Sequence, residues 1–468
     1  MWISVIPPVL TIAFAIYSKK IIPSLIAGFL IGCFLLDPSP AGGFESAISY
    51  LVSIITDKEN LQVFLFLYLF SGLIAIISRS GGIKAFSDIA RKMVKSPSGV
   101  FYLVWALLPV TFIDCGFRVI GAGSITKSLA QKNNVSNERL AFMLNNTASP
   151  VVELIPIATT FIGFNISIIK QGLNTAGINS GNSAYSLWLK AIPFEFFSIV
   201  LIIITFVSIF FQFKGKVKLN KKKSSKENNR SKMEEPESML KPKIINFIFP
   251  LLALICLCFF FFWYYGNMKQ ENTGIFSALT NTEPNKAMLI SLFITLILSA
   301  VLYFFQKYNL KSMTKDIITG GNGIMTTLII LVFAWCLAAV SQDLGLGELI
   351  KNNTGSIPGW SLPVLLFLLS SSITYFIGSG WGAASLIMPI AIPLASGAGI
   401  DLSLCIAAVI TGGTFGDVTS PVAGMTNMAS NVTGADHTNY LNYAVPYNFS
   451  AAAISAILFL FAGFIFHS

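Results

Sequence analysis

Two short stretches, NNTASPV at 145–151 and GDVTSPV at 416–422, repeat one pattern in the two halves of this 468-residue chain. Each places a polar break directly before a Ser-Pro pair. Serine is a favourable helix N-cap and proline fits the first helical position, so each pair predicts the start of a half-helix. The backbone groups at such a start are open, which makes both breaks candidate parts of a site.

Apolar residues dominate the rest of the chain. Hydrophobic residues make up 54% of it and charged residues 11%, whereas soluble domains carry about 25% charged residues. This composition excludes a soluble enzyme, a disordered protein and a disulfide scaffold. The length is enough for about ten or more membrane helices of about 20 residues each. The net charge of +10 lies in short loops, so we expect a lipid bilayer around the chain and no nucleic acid.

A second pair of matching stretches extends the repeat. TFIDCGF at 111–117 matches YFIGSGW at 375–381 with an offset of 264 residues, and the same offset relates Gly81 to Gly345. The break motifs follow at an offset of 271. Because nearly the same offset relates both pairs of stretches, we predict that the two halves are structural repeats.

One long charged run separates these halves. Residues 214–242 are rich in lysine, serine and glutamate, a composition that predicts a disordered cytoplasmic linker. The linker divides the chain into an N-terminal transmembrane repeat, 1–213, and a C-terminal transmembrane repeat, 243–468.

Basic residues set the predicted orientation. Loops 79–98 and 214–242 are both strongly basic, which places both in the cytoplasm. Three apolar segments lie between them, so we predict that one of these, 99–130, is a re-entrant hairpin that enters and leaves on one side. The repeat then makes 361–397 a hairpin from the other side. Each half then has five membrane spans. Because five is an odd number, the second half has the opposite orientation in the membrane.

We therefore predict an all-α polytopic membrane protein with two inverted-topology repeats, each with about five membrane-spanning helices, one of them broken, plus a re-entrant hairpin. Such repeats with broken segments are typical of alternating-access secondary carriers. We expect a multi-pass protein of the cell inner (plasma) membrane, not an enzyme. The chain has no Walker A motif, and its two histidines and scattered cysteines offer no metal or cofactor site beyond transported Na⁺ and H⁺.

Four ionisable residues lie at or beside the breaks: Asp114, Arg118, Glu153 and Asp417. A charge at the bilayer centre costs at least about 2.5–3.5 kcal/mol, so such residues are functional candidates. Arg118 is either a structural ion-pair partner of Asp114 or a substrate ligand. Asp417 has no base near it in the sequence and is predicted to bind a cation or carry a proton.

Oxygen-bearing side chains around these charges predict an ion site. Three carboxylates against one arginine favour a bound cation, or a proton held by a carboxylate. Sodium is expected at Asp417, Thr419 and Asn146, whereas Glu195 and Asp343, near helix ends, are interpreted as interfacial. The ion-binding or proton-carrying set comprises Asp114, Asp417, Glu153, Asn146, Thr147, Ser149, Thr419 and Ser420, and the substrate or counter-ion set comprises Arg118, Ser379 and Trp381.

At these residues the sequence resembles the NhaC family of Na⁺/H⁺ antiporters, within the wider ion-transporter superfamily with paired hairpins. The resemblance implies an inner-membrane carrier that exchanges Na⁺ for H⁺, and a homodimer as its assembly. Some relatives carry malate and lactate, or are thought to move amino acids. The matching motifs are TFID at 111–114, ERLAFMLNNTASPV at 138–151, GSGWGAAS at 378–385 and GGTFGDVTSPVAGMT at 412–426.

Several acidic or ionisable positions of the family are changed in this chain. An acidic residue of the family is Cys115 here, an aspartate is Asn145, and a histidine and an aspartate are Val418 and Gly424. Glu153 is the repeat mate of Gly424, so we interpret it as a compensation for the lost acid. A changed substrate is the alternative explanation.

Two functions remain open at this point. The first is Na⁺/H⁺ antiport, with Asp417 and Asp114 as ion and proton carriers. The second is Na⁺- or H⁺-coupled transport of a small amino acid or carboxylate, in which Arg118 binds the substrate. A membrane enzyme or structural protein is a third class, but the sequence offers no nucleophile–base pair to support it.

A cysteine at position 225 tests the orientation. In a variant whose six native cysteines are replaced, Ser225→Cys should react with a membrane-impermeant maleimide in inside-out vesicles but not in intact cells, because the basic linker is cytoplasmic. Asn272→Cys, in a loop predicted to lie outside, is the control with the opposite pattern. Labelling of position 225 in intact cells would overturn the topology.

Overall fold

Helices make up the fold. The computed structural model describes residues 2–94, 96–178, 184–210, 240–269, 282–353 and 358–466, and no strand occurs within these ranges. The described part of the chain therefore confirms the all-α prediction.

Thirteen described helices belong to the first half, and local sequence signals start several of them. The side chains of Ser39, Ser96 and Ser136 each accept a hydrogen bond from the amide three residues on, and Pro40 and Pro97 follow the first two as opening helical residues. The helices are α1 (Ile6–Ser18), α2 (Ile21–Leu36), α3 (Pro40–Thr56), α4 (Lys58–Arg79), α5 (Gly82–Met93), α6 (Pro97–Ala106), α7 (Leu108–Thr111), α8 (Cys115–Lys132), α9 (Asn137–Asn146), α10 (Ser149–Glu153), α11 (Thr160–Thr175), α12 (Ala184–Ala191) and α13 (Phe196–Val207).

Ten described helices belong to the second half. Asp401 and Asp436 cap two of them by accepting hydrogen bonds from backbone amides of the first turn. The helices are α14 (Ile245–Lys269), α15 (Pro284–Phe305), α16 (Leu310–Gly323), α17 (Met325–Asp343), α18 (Leu346–Asn353), α19 (Leu362–Ile377), α20 (Gly380–Gly397), α21 (Leu402–Thr419), α22 (Gly424–Thr433) and α23 (His437–Ile465).

Length and hydropathy mark the chain as a membrane protein. Across the described ranges, eight helical segments are long and apolar enough to cross a membrane. A ninth is added if Ala184–Phe194 and Phe196–Val207, which meet at a bend of 43°, count as one span. The polytopic prediction is thereby confirmed. The linker predicted at 214–242 falls outside the described residues up to position 239.

Helices related by the repeat make equivalent contacts in the two halves. Helix α2 packs against α17, and its repeat mate α15 packs against α4, the mate of α17. In the same way α3 contacts α17 while α16 contacts α4, and α5 contacts α8 while α18 contacts α20. Gly81 and Gly345 both adopt left-handed backbone, with φ of 75° and 81°, at the equivalent helix ends. These observations support the repeat, while its inversion across the membrane stays a prediction.

The first predicted hairpin contains α6, α7 and α8, the second contains α19 and α20, and each has a break at the expected place. Residues 112–114 separate α7 from α8, and Gly378 and Ser379 separate α19 from α20. Asp114 caps α8 by accepting from the amide of Phe117, and Ser379 caps α20 by accepting from the amide of Gly382. Gly378 has a φ of 75°, which glycine adopts without a Cβ clash. The breaks agree with the sequence analysis, and the re-entrant path stays a prediction.

Helix α21 lies at the centre of the second half because its glycines allow close contact. It packs against α19, α20 and α23, and its residues 403–419 are all buried. A Cβ on Gly412 would lie 2.6 Å from the Cβ of Ser370 and 2.8 Å from the carbonyl oxygen of Phe367. A Cβ on Gly413 would lie 3.0 Å from the carbonyl oxygen of Gly380. The absence of side chains therefore sets the distances from α21 to α19 and α20.

Replacement of Gly412 tests this packing. Gly412→Ala should lower the free energy of unfolding by about 1–3 kcal/mol, because the added methyl group meets backbone and Cβ atoms that have little room to move. A thermal unfolding scan in detergent measures the loss. Gly424→Ala, whose Cβ would have no atom within 4 Å, is the matched control and should unfold at or above the wild-type temperature. Equal unfolding temperatures for the two variants would contradict the packing argument.

Candidate functional site

The first polar break forms the short half-helix that the sequence predicts, with one correction. Helix α9 ends at Asn146, and α10 begins at Ser149 with Pro150 in its first turn. Ser149 is the first helical residue and not the cap, because Ala148 occupies the cap position and makes no side-chain bond. The Ser149 hydroxyl is buried and has no hydrogen-bond partner among the described residues.

The second Ser-Pro pair does not begin a helix, which corrects the prediction. Helix α21 ends at Thr419, and α22 begins only at Gly424. The hydroxyl of Ser420 donates to the carbonyl oxygen of Tyr375 at 2.6 Å and accepts from the amide of Val422 at 3.3 Å. This serine therefore fixes the loop after α21 against α19.

A small cavity of about 10 Å³, room for about one water molecule, lies where the two halves meet. Two of the predicted carboxylates, Asp417 and Glu153, face it, although only 9% and 2% of their surfaces are exposed. Both halves contribute to the wall, through α10 and α11 from the first and α20 and α21 from the second. The lining residues are Glu153, Phe161, Phe164, Asn165, Gly380, Trp381, Ala384, Ile410, Gly413, Thr414 and Asp417.

Hydrogen bonds hold both carboxylates in place. Asp417 Oδ1 accepts from the amide of Gly380 at 2.8 Å, at the start of α20. Glu153 Oε2 accepts from the hydroxyl of Thr414 at 2.5 Å and from that of Ser198 at 3.0 Å. The lining residues include no lysine, arginine or histidine. Two carboxylates with no basic partner in their cavity favour a cation or a proton there.

Aromatic rings and one side-chain amide form much of the rest of the cavity wall. The ring of Trp381 stacks on Phe164 at 4.4 Å between centroids and meets Phe161 edge-on at 5.3 Å. Asn165 is 1% exposed, and its side-chain nitrogen has no hydrogen-bond partner among the described residues. Trp381 thus lies in the site, and the unpartnered side-chain amide of Asn165 lines the same cavity as the two carboxylates.

Asn146 and Thr419 meet at a different place, through a residue that sequence reasoning missed. The Nδ2 of Asn146 donates to the Oδ1 of Asn448 at 2.8 Å. Asn448 in turn donates to the carbonyl oxygen of Val418 at 3.0 Å and to Thr419 Oγ1 at 3.2 Å. Of the three residues expected to bind sodium, Asp417 is the one that lines the cavity, while Asn146 and Thr419 tie the two breaks together.

Arg118 does not pair with Asp114, so the predicted ion pair is wrong. The guanidinium group is fully buried and donates to Val104 O at 2.8 Å, Thr111 Oγ1 at 2.8 Å and Thr147 Oγ1 at 3.0 Å. No carboxylate of the described chain lies within ion-pair distance of it. Arg118 therefore braces α6, α7 and the break after α9, and it lies outside the cavity wall.

Asp114 serves the start of α8 instead of pairing with Arg118. Its Oδ1 accepts from the amide of Phe117 at 2.8 Å, and its Oδ2 accepts from the hydroxyl of Thr160 at 3.1 Å. The next residue, Cys115, lies near both Asp114 and Asp417. The carboxylates of the two breaks therefore lie in one region.

Glu195 was interpreted from the sequence as interfacial, but it lies in the interior of the protein. Its residue is fully buried at the bend between α12 and α13, and neither carboxylate oxygen has a hydrogen-bond partner in the described structure. It interacts electrostatically with Glu153. Asp343, which was also interpreted as interfacial, is exposed and accepts from the hydroxyl of Tyr50. Single polar residues inside apolar helices, such as Asn165 and Asn448, were the available signal for the missed members of the site.

The described residues hold no cluster of three or more His, Cys, Asp or Glu side chains that would suit a metal ion. The polar groups instead fall into three sets: the cavity carboxylates, the asparagine link between the breaks, and the arginine brace. Hydroxyls and carboxylates of these sets suit a transported cation or proton.

Solved transporter structures share this fold. The Alcanivorax borkumensis YdaH transporter superposes with a TM-score of 0.65 at 13% identity, over 92% of this chain and 96% of that one. Neisseria gonorrhoeae MtrF, described with a class of antimetabolite efflux pumps, gives 0.62 at 14% identity, over 89% and 84%. At these identities the likeness concerns the fold alone.

Sequence relatives cover the chain to different extents. A Haemophilus influenzae protein described as uncharacterized is 29% identical over 98% of this chain and 91% of its own length. The Bacillus subtilis Na(+)/H(+) antiporter NhaC is 23% identical over 49% of this chain and 46% of its own. The malate-2H(+)/Na(+)-lactate antiporter of the same organism is 26% identical over 38% of each. The chain thus matches less than half of the two antiporters.

A family model covers more of the chain than these two antiporters do. The model described as the Na⁺/H⁺ antiporter family matches residues 151–464, which include Glu153, the second hairpin and Asp417. Together with the membrane helices and the transporter fold, this match identifies a multi-pass secondary transporter. The chain belongs to the Na⁺/H⁺ antiporter family.

Proposed function

We propose that this protein exchanges Na⁺ for H⁺ across the membrane by alternating access, as an antiporter of the NhaC type. One observation carries the proposal: the charged groups of the cavity between the halves are two buried carboxylates, Asp417 and Glu153, with no basic residue in the lining. A site of this composition attracts small cations and repels anions.

Asp417 is the group for which the two ions compete. Its Oδ1 is held by the Gly380 amide at 2.8 Å, which fixes the carboxylate while the other oxygen remains for a ligand. Na⁺ binds the ionised carboxylate, whereas a proton on the same group removes the negative charge that holds the cation, so the two ions compete for Asp417. Binding of one ion therefore requires release of the other, which is the condition for exchange.

Asp114 couples this exchange to the first half. Its two oxygens connect the start of α8, through the Phe117 amide, with the start of α11, through Thr160. Protonation of Asp114 would weaken both bonds, since hydrogen bonds to an ionised carboxylate are about twice as strong as neutral ones. Helix α11 also carries Phe164 and Asn165 into the cavity wall, so a change at Asp114 reaches the ion site.

The alternative is Na⁺- or H⁺-coupled transport of a small amino acid or carboxylate. One feature favours it: the stacked rings of Trp381 and Phe164 line the cavity, and a bare ion does not need an apolar wall. Arg118 offers it little support, because its guanidinium group makes three hydrogen bonds to neutral oxygens away from the cavity, and only its Nε has no partner among the described residues.

Asp417→Asn tests the antiport. In proteoliposomes of purified protein with an imposed pH gradient, Na⁺ added without any organic solute should dissipate the gradient in the wild type. The variant should lose at least about 90% of this rate, because an amide neither releases a proton nor neutralises Na⁺. A pH-sensitive dye inside the vesicles measures the exchange.

Glu348→Gln, which removes an exposed carboxylate of the same half, is the control and should retain the wild-type rate. Full exchange in Asp417→Asn would refute the role of this residue. If the wild type gives no response to Na⁺ alone but takes up amino acids or carboxylates when Na⁺ is present, the alternative function replaces antiport.

Arg118→Met separates bracing from substrate binding. We expect the variant to lose about 2–4 kcal/mol of unfolding free energy, since it removes a buried charged donor from three acceptors. The remaining folded protein should keep its apparent Na⁺ affinity. Lys132→Met removes a positive charge from the exposed end of the same helix and should change neither property. A stable Arg118→Met protein that has lost only organic-solute uptake would favour the alternative.

A further inference from the structure

Asn165 carries a buried side-chain amide that no other part of the described protein uses. The residue lies inside α11 among apolar neighbours and is 1% exposed. Its Nδ2 has no hydrogen-bond partner among the described residues. Most buried polar side chains in proteins are hydrogen-bonded, and an unpaired one lowers stability. The packing of the protein alone therefore gives no reason for an asparagine at this position.

The side chain of Asn165 lines the cavity between the two halves. This cavity has room for about one water molecule, and Asp417 and Glu153 also line it. In this conformation, a space of that size holds a single small ion or a water molecule but no organic solute. Any occupant of the cavity is therefore close to the two carboxylates and to the amide at the same time.

Contacts beside the amide connect α11 with the segment that holds Asp417. Helix α11 packs against α20, and Phe164, which precedes Asn165, stacks on Trp381 at 4.4 Å between ring centroids. Trp381 follows Gly380, whose amide donates to Asp417 Oδ1 at 2.8 Å. Because Gly380 has no side chain, there is space beside the other carboxylate oxygen, and a Cβ there would lie 2.9 Å from Asp417 Oδ2. This oxygen and the amide of Asn165 thus border the same small space from opposite halves.

The chemistry of these groups selects a cation as the ligand. An anion, which the Nδ2 of Asn165 could hold, would be repelled by the carboxylates of Asp417 and Glu153. An asparagine amide also offers a carbonyl oxygen, and a half-turn about its last side-chain torsion exchanges this oxygen with Nδ2. Hard cations bind carboxylate and carbonyl oxygens, whereas a proton needs only the carboxylate that carries it. The neutral amide therefore adds to the binding of Na⁺ without adding to the binding of H⁺.

We propose that Asn165 binds Na⁺ directly through its side-chain oxygen, together with Asp417, and that it determines how well Na⁺ competes with H⁺ for this carboxylate. The bound cation then contacts α11 of the first half and α21 of the second, and it satisfies an amide that the protein leaves unpartnered. This inference rests on the proposed Na⁺/H⁺ exchange and adds a neutral, specificity-determining ligand to it.

Asn165→Leu tests the ligand, because leucine has nearly the shape of asparagine but no polar atom. Half-saturation of the purified protein with radioactive Na⁺ in detergent should require at least about tenfold more Na⁺, since the cation loses one ligand. The unfolding temperature without Na⁺ should equal or exceed that of the wild type, since no hydrogen bond within the described protein is lost. Asn174→Leu, at the exposed end of the same helix, is the matched control and should keep the wild-type affinity.

Two further measurements separate the ligand from a structural residue. At saturating Na⁺, Asn165→Leu should release as many protons per protein as the wild type, because Asp417 is still present, and a pH dye in weakly buffered solution measures this release. Asn165→Asp restores an oxygen ligand and should bind Na⁺ at least as tightly as the wild type at alkaline pH. A loss of affinity in Asn165→Asp as large as that in Asn165→Leu would contradict an oxygen ligand.

The outcomes distinguish the two proposals. No Na⁺ binding by the wild type would overturn the proposed exchange at Asp417. Wild-type affinity in a folded Asn165→Leu protein would overturn the role of Asn165 alone. An Asn165→Leu protein that is clearly less stable than the wild type would also overturn it, because the amide would then have a structural partner.

Discussion

The structure depends on the need to satisfy polar groups where helices break inside an apolar surrounding. In a bilayer, open backbone groups have no water to bind, so non-helical segments persist only where protein covers them. Asn448 fills this role between the two halves, because it joins Asn146 of the first break to the carbonyl and hydroxyl oxygens that end α21. Arg118 does the same for the break after α9 and the end of α7. With these connections made by other side chains, Asp417 and Glu153 remain available at the cavity.

Close packing and polar chemistry support each other around α21. The helix approaches its neighbours closely because Gly412 and Gly413 carry no side chains, and the same approach brings the amide of Gly380 to 2.8 Å from Asp417. A carboxylate near the end of this helix therefore receives its donor from a backbone that only glycine packing places within reach. The position of the ion site and the stability of the helix cluster are thus consequences of one arrangement.

The sequence predicted the broad plan and part of the site. The offset of 264 residues paired Gly81 with Gly345, which share a left-handed conformation in the structure, and the breaks led to Asp417 and Glu153. The sequence could not predict the hydrogen-bond partners of these residues, since Thr414 and Glu153 are 261 positions apart. Spacing suggested an Arg118–Asp114 pair, but Asp114 has extended backbone, with φ of −151° and ψ of 141°, and turns its carboxylate to the helix start. Composition also could not show that the bend at Glu195 faces inward, because its apolar neighbours suit lipid and protein interior equally well.

Glu153 has a consequence for the motion that transport requires. One oxygen of this carboxylate accepts from Ser198 on α13 of the first half and from Thr414 on α21 of the second. Hydrogen bonds to an ionised acceptor are about twice as strong as those to a neutral one, so the adhesion between the halves at this point varies with the charge of a single side chain. Occupancy of the ion site therefore changes how strongly the two halves adhere at Glu153. Ion binding and separation of the halves are thus linked without a further structural element.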